Sequence, residues 1–234
     1  MKPSSSYKLE ILYSPSTSVA RFQLQPGQKI AGRAGSLMAM SSNISVTAGL
    51  PGGLLDTLKR MVTGGTISVA LYSCDEQPGE LLLAPHQGGD IMVLDLQDEA
   101  YAVQFGSILA VSPGLTFSPL LAGVKGLVAT RRQMMTRVEG TGLVLLSCAG
   151  WQHRLNLIEG ERYLLEVGHI LAFPASISSR YVPLSCDGVV RSALAGNALV
   201  LEVTGPGEVV LQTRGAHPEV ATLENLTKGT KKKS

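Results

Sequence analysis

The sequence predicts an all-β chain, and three observations carry that prediction. Short runs such as TISVALYS, GLVLLS, ALVLEV and EVVLQT are rich in valine, leucine and isoleucine and are bounded by glycine or proline. One phrase is written three times, as GSLMAMS after Gly35, GSILAVS after Gly106 and GHILAFP after Gly168, each opening on its glycine. A second glycine landmark recurs downstream, at Gly79, Gly142 and Gly207. Short strands separated by turns at about ten-residue intervals argue for a β-sandwich or barrel.

Along the chain, the opening MKPSSSYKLEILYSPS has no continuous apolar run, so it reads as neither a secretory signal nor an arginine-rich transit peptide. Each phrase glycine is then approached in the same way, from Leu24, Leu96 and Leu157. Each approach holds a turn-forming pair, Pro26-Gly27, Asp98-Glu99 or Glu159-Gly160, and continues in apolar residues. The phrase glycines are spaced by 71 and 62 residues and the downstream glycines by 63 and 65. Two landmarks of nearly equal period predict three tandem copies within one compact body, residues 1–216, at about 20–87, 88–150 and 151–216. Gly35, Gly106 and Gly168 are expected at a corner or bulge between strands, or at the end of a hairpin turn. Both readings are structural. One segment departs from the β pattern: PGGLLDTLKRMVTGG, residues 51–65, sets Leu54, Leu55, Leu58, Met61 and Val62 at helical spacing. It reads as a short amphipathic helix or an irregular insertion, with Lys59 and Arg60 on a solvated face.

Composition narrows the function classes. An apolar content of 44% and 26 glycines describe a globular chain with many turns. The net charge of +2 resides in residues 217–234, a lysine-rich stretch (Lys228, Lys231, Lys232, Lys233) expected to be solvated and disordered. The body carries equal numbers of acidic and basic residues, which is no field for nucleic acid. Cys74, Cys148 and Cys186 are odd in number and far apart, so a reducing, cytoplasmic setting is expected. No stretch approaches the roughly 18 apolar residues of a membrane span.

The chemistry-bearing residues are scattered. His86, His153, His169 and His217 contain no His-x-His pair, so no metal site is read. His169 stands where the other copies have Ser36 and Ser107 and reads as an ordinary polar residue at a strand corner. No G-x-S-x-G elbow is present, and Cys148 follows LVLLS as a small buried side chain in a strand. Asp95, Asp98 and Glu99 read as surface turn residues rather than an acid/base pair. The glycines of GLPGGLLDTLKR lack the phosphate-binding pattern. Arg131-Arg132 occurs once, which is not a ring of equivalent nucleic-acid contacts. No catalytic, cofactor-binding or metal-binding residue is assigned, and no cofactor is expected.

The ordered series PGQKIAGRAGSLMAMSSNISV, LKRMVTGG, PGELLLAPHQGGDIMVLDL, VQFGSILAVSPGLTF, LIEGERYLLEVGHILAFPASI and GPGEVVLQTRG resembles the mitochondrial biogenesis (altered inheritance of mitochondria) family, which has bacterial members. The resemblance covers about residues 20–216. One departure is that Gly64 is followed by Gly65 where the family usually has Gly-Glu. The resemblance implies a fold like that of the trp RNA-binding attenuation protein, a β-sandwich within the double-stranded β-helix group, three units to a chain. A trimer would then close a ring of nine units. The function expected is a non-enzymatic, oligomeric scaffold or protein-interaction module. The alternative, by analogy of fold, is binding of a small ligand or RNA in clefts between units.

Overall fold

The computed structural model of the chain describes residues 7–48, 69–120, 135–182 and 200–215. The helical reading of 51–65, the Gly64-Gly65 and Arg131-Arg132 pairs, Cys186 and the lysine-rich tail all lie outside the described residues. Within the described residues the chain is all β, with seventeen strands. The first seven are β1 (Lys8–Leu12), β2 (Val19–Leu24), β3 (Lys29–Arg33), β4 (Leu37–Met40), β5 (Ile44–Ala48), β6 (Val69–Cys74) and β7 (Gly79–Leu83). Four follow, two of them long: β8 (Gly89–Gln104), β9 (Ile108–Val111), β10 (Thr116–Pro119) and β11 (Met135–Ala149). The last six are β12 (Gln152–Leu157), β13 (Arg162–Glu166), β14 (Ile170–Pro174), β15 (Ser178–Val182), β16 (Val200–Thr204) and β17 (Gly207–Gln212).

Among the described residues these strands pair antiparallel with one another, and Gly89 adds isolated parallel bridges to Thr17 and Gly150. In the first stretch β2 and β4 flank β7, while β3 and β5 flank β6. In the last stretch β12 and β14 flank β17, while β13 and β15 flank β16. The middle stretch makes the same four pairings with fewer strands. The first half of β8 and β9 flank the second half of β11, while the second half of β8 and β10 flank its first half. Two further pairings join the stretches, β3 with β9 and β8 with β14. They merge the pieces into a ten-stranded sheet, ordered β12-β17-β14-β8-β11-β9-β3-β6-β5 with β10 beside β11. A four-stranded sheet, β1-β2-β7-β4, and a three-stranded sheet, β13-β16-β15, complete the fold.

Local sequence explains where strands stop and where they run on. Pro26-Gly27 forms the turn between β2 and β3, with Gly27 at φ +81° and the Gln28 amide donating to the Gln25 carbonyl at 3.0 Å. Glu159-Gly160 does the same between β12 and β13, with Gly160 at φ +76° and the Glu161 amide 3.1 Å from the Ile158 carbonyl. Proline or another φ-negative residue followed by glycine at positive φ is the type II turn pattern. Asp98-Glu99, the pair expected to turn in the middle stretch, does not. There the strand continues, and Asp98 (φ +57°) is the extra residue of a bulge facing the register shift at Gly140/Thr141.

The strands alternate as half-buried strands should. Ala20, Phe22 and Leu24 of β2 point inward while Arg21 and Gln23 face out; Leu81 and Leu83 of β7 point inward and Glu80 faces out. Three apolar clusters result. Phe22, Leu24, Ile30, Leu81 and Leu83 belong to the first. Leu94, Leu96, Val103, Phe105 and Phe117 belong to the second. Leu165, Ile170, Phe173, Leu201 and Val209 belong to the third. Each such side chain stabilises by about 1.5–3 kcal/mol on burial, and truncating Phe22 to alanine is expected to cost about 3–5 kcal/mol.

Candidate functional site

The recurring glycines occupy two kinds of place. Gly35, Gly106 and Gly168 stand at the corner after β3, β8 and β13. Gly35 lies in a turn at φ +83°, and Gly106 and Gly168 lie at the centres of single 3-10 turns, Phe105–Ser107 and Val167–His169. Gly79, Gly142 and Gly207 stand at the start of β7, at the midpoint of β11 and at the start of β17. A side chain at Gly79 would meet Ile44 Cγ1 at 2.7 Å; at Gly142, Leu115 Cγ at 3.3 Å together with the Ser112 hydroxyl; at Gly207, Ile177 Cδ1 at 2.7 Å. Ile44, Leu115 and Ile177 are all buried, and each lies nine residues after its corner glycine. Both sets are therefore places of turn geometry and close packing.

The strand after each corner enters through one bulge. Leu37, Ala39 and Met40 pair with Leu83, Leu82 and Leu81, skipping Met38. Ile108, Ala110 and Val111 pair with Leu146, Leu145 and Val144, skipping Leu109. Ile170 and Ala172 pair with Leu211 and Val210, skipping Leu171.

Two residues before each corner glycine stand Arg33, Gln104 and Glu166. The Arg33 guanidinium donates to the Gly106 carbonyl, across the β3–β9 joint. Gln104 is buried across the β8–β14 joint. Its amide nitrogen lies 3.4 Å from the Val167 carbonyl and 3.5 Å from that of Gly168, and its carbonyl oxygen accepts from Ser107 at 2.6 Å and from Gln212 at 3.1 Å. Gln212 also donates to the Gly168 carbonyl at 2.7 Å, and its own backbone carbonyl lies 2.8 Å from His169 Nδ1. His169 is thus a corner residue with a backbone partner. Glu166 Oε2 is buried with no hydrogen-bond partner among the described residues.

Asp90 is the other buried polar centre. Its Oδ1 accepts from Ser18 at 2.7 Å, Ser14 at 3.0 Å and the Ile91 amide at 2.8 Å, and its Oδ2 accepts from Gln152 at 2.7 Å. Both oxygens are hydrogen-bonded to the protein, which is the arrangement of a structural carboxylate. Cys148 is buried in β11, and burial, then the nearby Asp90 charge, push its thiol up to about 12. A thiol so raised is a poor nucleophile at neutral pH. Cys74 is likewise buried and free. Asp95 accepts from Gln97 at 3.1 Å and Asp98 sits in the β8 bulge, so these acidic residues lie along a continuous strand rather than in a surface turn. Among the described residues no three His, Cys, Asp or Glu side chains are grouped as a metal would require, and no helix is long and apolar enough to cross a membrane. A cavity of about 20 Å³ beside Arg33, Phe105, Leu109 and Phe117 has room for one water molecule. Arg21, Arg154 and Arg180 are each paired across strands with a glutamate, and Arg137 with Glu139 along β11, all at 2.6–2.9 Å, so these four guanidinium groups are neutralised locally.

What stands out is apolar and lies on two sheet edges. β4 ends the four-stranded sheet and β13 ends the three-stranded one. Leu37 (40%), Met38 (59%) and Met40 (38%) of β4 and Tyr163 (41%) and Leu164 (54%) of β13 are half of the large apolar side chains that the described residues expose. Neither strand is paired on its outer side among the described residues, and apolar side chains on an open edge are what soluble β proteins ordinarily avoid. The sequence announced the corner glycines beside β4 and β13, Gly35 and Gly168, but not this, because SLMAM is as apolar as SILAV and HILAF and only the fold leaves the first copy uncovered.

Comparison with known proteins agrees with this architecture. Residues 9–214 match the family described as mitochondrial biogenesis AIM24. An uncharacterised protein of Streptococcus pyogenes serotype M6, M6_Spy0233, is 22% identical over 220 residues, covering 88% of this chain and 85% of that one. The crystal structure of protein SPYM3_0169 from Streptococcus pyogenes superposes with a TM-score of 0.73 at 20% identity, covering 94% of this chain and 99% of that one. At that identity the likeness is one of fold.

Proposed function

The chain belongs to the mitochondrial biogenesis AIM24 family, and from that premise we propose that it acts without chemistry of its own, as a homo-oligomeric β scaffold that presents surfaces to protein partners. In this reading the chain is three tandem units, β2–β7, β8–β11 and β12–β17, each folded like a subunit of the trp RNA-binding attenuation protein. Three chains close a ring of nine units, in the cytoplasm. The observation that carries the reading is the concentration of exposed apolar side chains on two sheet edges, β4 and β13, that are unpaired among the described residues. Four strand pairings recurring in each stretch, and one bulge recurring before Ala39, Ala110 and Ala172, support the tandem units. The hydrogen-bonded Asp90 and the suppressed Cys148 thiol support a structural role for the buried polar groups, and the two buried free thiols among the described residues suit a reducing compartment.

Native mass spectrometry of the gently purified protein tests it. The expected result is a complex of three times the 24.6 kDa chain with no added mass. A monomer removes the scaffold, and a retained metabolite or nucleotide replaces it with a binding function.

A further inference from the structure

The two joints inside the chain share one register. At the first, Ala31 faces Val111 and Gly32 faces Ala110. At the second, Ala102 faces Phe173 and Val103 faces Ala172. Counted from the corner glycines, both obey one rule: the residue four before one corner faces the residue five after the next corner, and three before faces four after. Both joints bury what they cover, for Ala31, Val111, Ala102 and Phe173 are all inaccessible.

The rule has one donor and one acceptor left over. β13 is the strand before the third corner and β4 the strand after the first, and neither is paired on its outer side among the described residues. Resting on the oligomeric reading, we infer that β13 of one chain pairs antiparallel with β4 of the next copy, with Leu164 facing Met40, Leu165 facing Ala39 and Tyr163 facing Ser41. Chemistry at both edges fits a second copy. Leu37, Met38 and Met40 are exposed where their counterparts Ile170, Leu109, Leu171, Val111 and Phe173 are buried, and Leu164 is exposed where Ala31 and Ala102 are buried. Glu166 adds a separate sign. It takes the place of Arg33 and Gln104, whose side chains reach across a joint, and its Oε2 is buried without a partner on its own chain among the described residues. The contact is heterologous: the two surfaces differ, so it repeats head to tail and closes only as a ring.

The test places cysteines at both ends of the inferred pair, Leu164→Cys with Met40→Cys in one chain, beside each single variant and the natural chain. All four are oxidised in the native state and run without reductant, with native mass measured in parallel. Both positions are exposed, so the substitutions leave the core intact. The expected result is a ladder of covalent multiples of the chain from the double variant alone, ending at the number of copies in the ring and collapsing on reduction. In addition, Leu164→Arg is expected to shift the complex to single 24.6 kDa chains that keep their β circular dichroism. A multimer without the ladder overturns the inferred pairing but leaves the scaffold standing. Covalent dimers from a single variant reveal a two-fold contact and overturn it too, as does a link within one chain. A natural chain that is monomeric overturns both.

Discussion

Gly207 begins β17 directly over a buried isoleucine, and its missing side chain is a packing requirement that can be measured. Gly207→Ala, which would set a methyl 2.7 Å from Ile177 Cδ1, is expected to lower the unfolding free energy by about 1–3 kcal/mol in a denaturant titration. Gly27→Ala is expected to cost about 1 kcal/mol, because nothing lies within 4 Å and only the positive φ opposes it. Asp90→Ala leaves Ser14, Ser18 and Gln152 without their common acceptor, and about 2–4 kcal/mol is the expected loss. Glu202 shows a pH dependence of known sign. The hydrogen bond from Arg180 lowers its carboxyl, so its contribution is complete above the ordinary carboxylate range and fades as the pH falls through the lowered value. Arg180→Ala is expected to flatten that acid-side slope in unfolding measured at several pH values. Cys148, raised to about 12, is expected to resist alkylation at pH 8 until the chain unfolds; prompt labelling of that peptide in the native state would contradict its burial.

At the scale of elements, the sequence was legible wherever backbone geometry forces a residue type. Gly27 and Gly160 announce tight turns and sit at positive φ, and Gly35 announces a corner and sits at φ +83°. Gly106 and Gly168 mark corners too, but through 3-10 turns that need no positive φ, so the residue type there signals place more than conformation. Cys148 was readable as a buried small side chain and His169 as a polar residue at a strand corner; the backbone partner of His169 was not. The continuity of β8 and β11 was not readable. Asp98-Glu99 looks like the other turn pairs, and only the extra residue opposite Gly140/Thr141 turns a reversal into a bulge. Nor were the bare edges, since MAM and LAV are equally apolar in sequence and differ only in what covers them. Met38→Glu, at the bulge of β4, is therefore expected to leave the melting temperature of the isolated chain unchanged while weakening assembly. Calorimetry and native mass together read the two effects apart.

Across the whole molecule, the two long strands do the binding together. The β8–β11 ladder runs from Met135↔Gln104 to Ala149↔Gly89, and β14 and β9 add to its flanks. Its amide protons are expected to exchange last with deuterated solvent, while those of β4 and β13 gain protection only when copies associate. The same ladder also decides where the chain could be lengthened. In the first and last stretches a turn separates the strands, so residues inserted at Pro26-Gly27 or Glu159-Gly160 would interrupt only exposed loop backbone. In the middle, an insertion at Gln97-Asp98 would cut a strand in mid-course. Insertions placed at the outer turns should therefore leave the chain able to fold, and one placed at the β8 bulge should not, which makes the central third the part least tolerant of added sequence.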